Sequence, residues 1–126
     1  MALPCSPGTY VIALAVHGQQ RLEIGRRGLL VAPEGVLLYV GSALGPGGLR
    51  ARLGRHLRGG SVKRWHIDYV RRSCPPVAAW YYAGKRRKEH AWAQVLLQLP
   101  GAEVPLAKVG ASDCDCSSHL IWLRRL

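Results

Sequence analysis

From Tyr10 to Val16 the chain is continuously apolar and enriched in β-branched residues, which predicts a strand. His17-Gly18-Gln19-Gln20 then offers a turn, and Arg21 to Ile24 resumes in alternation, so the two stretches are expected to form a hairpin. Gly25 to Gly35 is punctuated by glycine and proline and reads as a connection. Val36-Leu37-Leu38-Tyr39-Val40, ending at Gly41, predicts a third strand, and three early strands can form a small sheet.

After Gly45-Pro46-Gly47-Gly48, leucines at 49, 53 and 57 repeat at helical spacing, predicting a helix over Leu49 to Arg58 that Gly59-Gly60 stops. Trp65 to Arg72 predicts a short second helix ended by Cys74-Pro75-Pro76, and Val77 to Tyr82 a strand. Lys88 to Leu99 predicts a third helix with Trp92, Val95, Leu96 and Leu99 on one face. His119 to Leu123 is expected to close the fold as a strand. The order β-β-β-α-α-β-α-β is that of a mixed α/β or α+β domain, and 126 residues suit one domain spanning 1–126.

Nearly half the residues are apolar and a fifth are charged, a globular composition. No apolar run approaches the roughly 20 residues of a membrane-spanning helix. The start, Met1-Ala2-Leu3-Pro4-Cys5, lacks the basic and apolar regions of a secretory signal, so a cytoplasmic location and no membrane partner are expected. On that footing Cys5, Cys74, Cys114 and Cys116 are expected to be thiols. Charge changes the picture most: 18 Lys and Arg against 7 Asp and Glu give +11. Such an excess favours a polyanion, because each neutralised phosphate releases condensed counterions.

On the first predicted helix the three leucines span a stripe of about 80° that must face the sheet. Arg52 and His56 fall along its edge and are expected to be half-buried, whereas Arg55 and Arg58 point to solvent. A guanidinium so placed can clamp a phosphoryl group through two parallel hydrogen bonds, or simply snorkel at the core edge. Tyr10 shares a strand face with Ile12, Leu14 and Val16, which by itself describes a tyrosine at the core rim. Gly41-Ser42 would let a phosphate approach the backbone, but no Gly-Lys-Ser/Thr ending follows, which disfavours a P-loop and with it a nucleotide cofactor. Glu89 follows Lys85-Arg86-Arg87-Lys88 at a helix start, where the neighbouring cations favour its ionised form. Either cation binding or charge balance fits that position. Cys114-x-Cys116-x-x-His119 has poor spacing for zinc and reads better as a turn capped by Asp and Ser side chains.

The order of these features is more specific than any one of them. Gly8-Thr9-Tyr10, then Tyr39-Val40-Gly41, then Arg52 and His56 on the following helix, then Glu89 opening a later helix, closely resembles the GIY-YIG endonuclease superfamily. Tyr39-Val40-Gly41-Ser42-Ala43, Arg52 to His56, Trp65-His66-Ile67-Asp68-Tyr69 and Asp113-Cys114 to Ser118-His119-Leu120 resemble one compact branch of it. The resemblance implies a small central antiparallel sheet flanked by helices. It also implies a DNA endonuclease acting in repair or processing. In it Tyr10 activates or orients water, Tyr39 helps arrange water and phosphate, and Arg52 stabilises charge on phosphorus with His56 assisting. Glu89 would hold a divalent cation, magnesium or manganese. Thr9 stands where the family usually has Ile, and the interval between the two tyrosine motifs is long. Ser42, Arg55, Arg58, Arg71 and Arg72 are expected to contact the nucleic acid outside the reacting centre. The rival expectation is a binding module of the same fold with weak turnover.

Overall fold

A computed structural model describes residues 3–25, 27–59, 66–107, 109 and 118–125. Its elements are β1 Gly8–Val16, β2 Gln20–Glu23, β3 Leu29–Ala32, β4 Gly35–Ala43, α1 Gly48–Arg58, α2 His66–Arg71, β5 Pro76–Ala83, α3 Glu89–Leu97 and β6 Leu120–Leu123. The fold is mixed α+β. Four strands form an antiparallel sheet in the order β5-β1-β4-β6, and β2 and β3 form a separate two-stranded ribbon.

β1 is buried along almost its whole length because it has a neighbour on each edge and a packed layer on each face. Tyr10, Ile12, Leu14 and Val16, with Leu37 and Tyr39 of β4, face a core that includes Leu49 and Leu53 of α1 and Ile67 and Val70 of α2. Val11 and Ala13, with Leu38 and Val40, face a second core built on Ala93, with Trp92 and Leu96 packed against it. Strand alternation thus divides the sheet into an α1/α2 face and an α3 face.

The expected hairpin between Tyr10–Val16 and Arg21–Ile24 does not form. Gln20–Glu23 pairs instead with Leu29–Ala32, a strand hidden within the Gly- and Pro-punctuated segment. A four-residue strand between Gly28 and Pro33 is too short to register as a pattern, and the doubly buried β1 takes the longer apolar strands β4 and β5 as partners. α3 also departs from its expected apolar face. Val95 is 63% and Leu99 38% exposed. Of the expected face Trp92 and Leu96 pack inward, beside Glu89 and Ala93, whereas Val95 projects roughly opposite Ala93.

α1 is capped by tertiary contacts at both ends. The amides of Leu49 and Arg50 donate to the carbonyls of Ser6 and Pro4 at 3.0 and 2.9 Å. Gly48 (φ +56°) lies so close to the Cys5 and Ser6 carbonyls that a side chain there would collide with them. At the other end Arg71 donates to the carbonyls of His56 and Leu57 at 3.0 and 3.1 Å. Among the described residues no helix is long and apolar enough to cross a membrane.

Candidate functional site

Tyr10 and Tyr39 reach the α1/α2 face from the adjacent strands β1 and β4, two residues apart in register, since Tyr10 opposes Gly41 and Ile12 opposes Tyr39. Both rings are buried. The missing side chain at Gly41 makes the space: a Cβ there would lie 2.5 Å from the Tyr10 ring and hydroxyl. Above the two tyrosines sits His56 of α1, with ring centroids 5.9 Å from Tyr10 and 6.3 Å, edge-on, from Tyr39. Arg52, one turn earlier on α1, is half-buried as expected, while His56 is fully so.

This burial fixes the protonation states. Desolvation, with Tyr39 and Glu89 adding to it and Arg52 opposing, holds the Tyr10 hydroxyl far above the ordinary phenol range. Tyr39 is pushed up to about 12 by burial and Glu89, against the pull of Arg52. His56 is pushed down to about 4 by burial, with Arg52 and Arg55 adding to the effect of desolvation and Asp68 opposing it. At neutral pH the cluster therefore holds two phenols, a neutral imidazole and one guanidinium. The Arg52 guanidinium acts on the buried Tyr10 hydroxyl both by its charge and by a side-chain hydrogen bond that falls short of good geometry. A buried hydroxyl held this loosely beside a half-buried arginine is suited to an oxygen supplied from outside.

Glu89 opens α3 and is held from the opposite side of the sheet. The Lys88 amide donates to the Thr9 hydroxyl at 3.2 Å, which ties the start of α3 to the start of β1. Arg87 pairs with one Glu89 oxygen at 2.6 Å, and His119 Nδ1 lies 3.9 Å from the other. Burial raises the carboxyl, but Arg87, the Ser42 hydroxyl and His119 outweigh it and leave Glu89 below the ordinary carboxylate range. Ser42 acts here as a hydrogen-bond donor whose geometry falls short of a good bond. Ser42 and Thr9 are register partners on the α3 face. The structure thus gathers Tyr10, Tyr39, Arg52 and His56 into one cluster, with Glu89 acting on both tyrosines electrostatically while its direct contacts are Arg87 and His119.

An ionised, largely buried carboxylate with a buried hydroxyl beside it fits a hard divalent cation that keeps much of its water and shares a substrate phosphate. No group of three His, Cys, Asp or Glu gathers among the described residues, so the carboxylate would depend on substrate oxygens to complete the shell. Cys114 and Cys116 lie outside the described residues. Of their motif, His119 is placed beside Glu89, 5.8 Å from the His90 ring.

The exposed docking set divides. Arg58 and Arg72 are exposed. Arg55, expected to point to solvent, is partly buried in a 2.9 Å ion pair with Asp68, and Arg71 turns inward to cap α1. Helical projection gave Arg55 an outward direction; α2, which supplies both Asp68 and Arg71, covers it. Sequence reasoning assigned no role to Asp68, saw Arg87 only as one of four cations beside Glu89, and saw Thr9 only as a departure from the family motif. Asp68 could have drawn notice as one of only seven acids. The hold of Thr9 on the Lys88 amide carries no signal without the packing of α3 against β1.

The family described as "Domain of unknown function DUF123" matches residues 9–126, and the chain belongs to it. Among curated proteins and among solved structures nothing matches the chain.

Proposed function

We propose that this DUF123 chain is a metal-dependent DNA endonuclease of the GIY-YIG kind, acting in the cytoplasm in DNA repair or processing. The observation that carries the reading is the convergence of Tyr10, Tyr39, Arg52 and His56 under the field of Glu89. That combination supplies donors for phosphate oxygens on one side and an anionic cation ligand on the other.

In this reading Arg52 binds a non-bridging phosphate oxygen and offsets the charge that builds on it as water attacks phosphorus. Tyr10, held as a phenol, orients the water through its hydroxyl; it does not remove the proton. Tyr39 and the neutral His56 confine water and phosphate from below and above. Glu89 would hold magnesium or manganese, which when bound offsets charge on the phosphate and leaving oxygens. The water oxygen bonds to phosphorus as the bond to the 3′ oxygen breaks. The attacking water gives up a proton to solvent and the leaving oxygen takes one from it, giving a 3′-hydroxyl and a 5′-phosphate. Exposed Arg58 and Arg72 hold the flanking backbone.

The 2.6 Å pair between Arg87 and Glu89 favours a second reading, a DNA-binding module whose carboxylate is occupied by its own chain. A cleavage panel of duplex, flap, junction and single-stranded DNA with magnesium or manganese separates the two. Cleavage that requires the cation and disappears in Glu89→Gln supports the enzyme. Cleavage that persists in Glu89→Gln places the activity elsewhere, and an inert parent that binds DNA leaves the module.

A further inference from the structure

Among the described residues β5 is an edge strand, with β1 as its one neighbour. On this edge Trp80 is 49% exposed and Tyr81 and Tyr82 are each 38% exposed, three consecutive aromatics in a chain with nine. Trp80 opposes Val11 and Tyr82 opposes Thr9, so these two rings share the α3 face, about 7 Å apart along the strand. Lys88 Nζ stands over the Tyr82 ring at 4.7 Å, and Lys85 and Arg86 are exposed in the connection that follows. The same face runs in one register row from Tyr82 through Thr9 to Ser42, beside Glu89. Two strand spacings, roughly 10 Å, separate the Tyr82 position from the Ser42 position.

We propose that Trp80 and Tyr82, with Lys85, Arg86 and Lys88, form a stacking platform for unpaired DNA bases next to the phosphate presented to Glu89. This rests on the nuclease reading above and names its substrate class: DNA with a single-stranded segment beside the cut, such as a flap or an overhang. Flat aromatic faces bind any unpaired base, and adjacent ammonium and guanidinium groups track its backbone. A duplex offers no base faces to this edge. Charge selects this occupant over a second copy of the chain. Antiparallel pairing of two β5 edges would bring the Lys85–Lys88 run of one copy towards Arg71 and Arg72 of the other, positive against positive.

The test measures metal-free binding of the full chain to oligothymidylate and to a duplex of equal length, and then cleavage of flap and plain duplex substrates with magnesium. The variants are Trp80→Ala/Tyr82→Ala and the conservative pair Trp80→Phe/Tyr82→Phe. The alanine pair is expected to weaken oligothymidylate binding by about tenfold or more, to change duplex binding less than about twofold, and to erase a preference for the flap. The phenylalanine pair retains most of the binding because it keeps two ring faces. Unchanged oligothymidylate affinity in the alanine pair overturns the platform, as does an equal loss on duplex. So does a dimer in the parent that the alanine pair abolishes while DNA binding is kept. A chain that binds through these rings yet cuts nothing supports the platform and removes the nuclease reading. A chain that cuts flap and duplex alike, with or without the rings, does the reverse.

Discussion

Tyr10 and Gly41 are direct cross-strand partners, and the tyrosine ring occupies the volume that any side chain at position 41 would need. The glycine that ends the Tyr39-Val40-Gly41 motif is thus a packing requirement of the tyrosine in the first motif, made across two strands and thirty-one positions of sequence. Gly41→Ala must displace a fully buried ring, and overpacking of this kind costs about 1–3 kcal/mol. The expected result is a melting temperature lower by roughly 5–10 °C and a larger loss of cleavage than of DNA binding. Adding Tyr10→Leu to Gly41→Ala should recover part of the stability and none of the activity, a coupling that a double-mutant cycle reads directly.

Tyr10→Phe separates packing from chemistry. The hydrogen bond between the buried hydroxyl and Arg52 falls short of good geometry, so removing the hydroxyl should change the melting temperature little. If the hydroxyl orients water, kcat falls by about 100-fold with KM little altered. A marked drop in stability would show that the hydroxyl has a structural partner.

Arg87 competes with any cation for Glu89. Because its side chain is 58% exposed against 11% for Glu89, the pair opens towards solvent from the arginine side. Arg87→Ala is expected to lower the magnesium concentration for half-maximal cleavage by roughly two- to five-fold, the range that loss of one exposed ion pair allows. A magnesium titration of initial rates checks this, and a rise in the required concentration would mean that Arg87 positions the carboxylate for the metal.

The depressed His56 makes folding sensitive to mild acid. The unfolded imidazole takes up a proton near 6.5, whereas the folded one resists until about 4, so the unfolded state binds more protons between those values. The stability contributed by keeping His56 neutral is complete above about 6.5 and is lost as pH falls towards about 4, on the order of 3 kcal/mol. Melting followed by circular dichroism from about pH 7 to about pH 4 should show this slope, and His56→Gln should flatten it. Glu89, whose carboxyl is lowered, acts in a more acidic window and adds its loss only below the ordinary carboxylate range.

The arginines expected to dock DNA should fall into two groups. Changing exposed Arg58 and Arg72 together to Ala should flatten the salt dependence of DNA binding by up to about 2 in the log–log slope, with stability unchanged. Arg71→Ala removes the donors to the last carbonyls of α1 and should cost about 1–3 kcal/mol of stability. Equal effects on binding and equal melting temperatures in the two variants would contradict this division.

The sequence by itself determined the elements with strong periodicity, among them β1, β4, β5 and α1, and the mixed α+β class, because burial on a strand or helix face writes itself into local spacing. It also marked Tyr10, Tyr39, Arg52, His56 and Glu89 by their order along the chain. Tertiary structure alone decided the rest. The partner of β2 was settled by competition among strands for the two edges of β1, and local alternation carries no record of that competition. The inward turn of Arg55 and Arg71 followed from where α2 lies against α1. Protonation is in part a tertiary property: Tyr10 remains a phenol and His56 a neutral base because other segments exclude water from them, whereas the adjacent cations, Arg87 among them, already marked Glu89 as ionised and the fold adds Ser42 and His119 to its carboxylate.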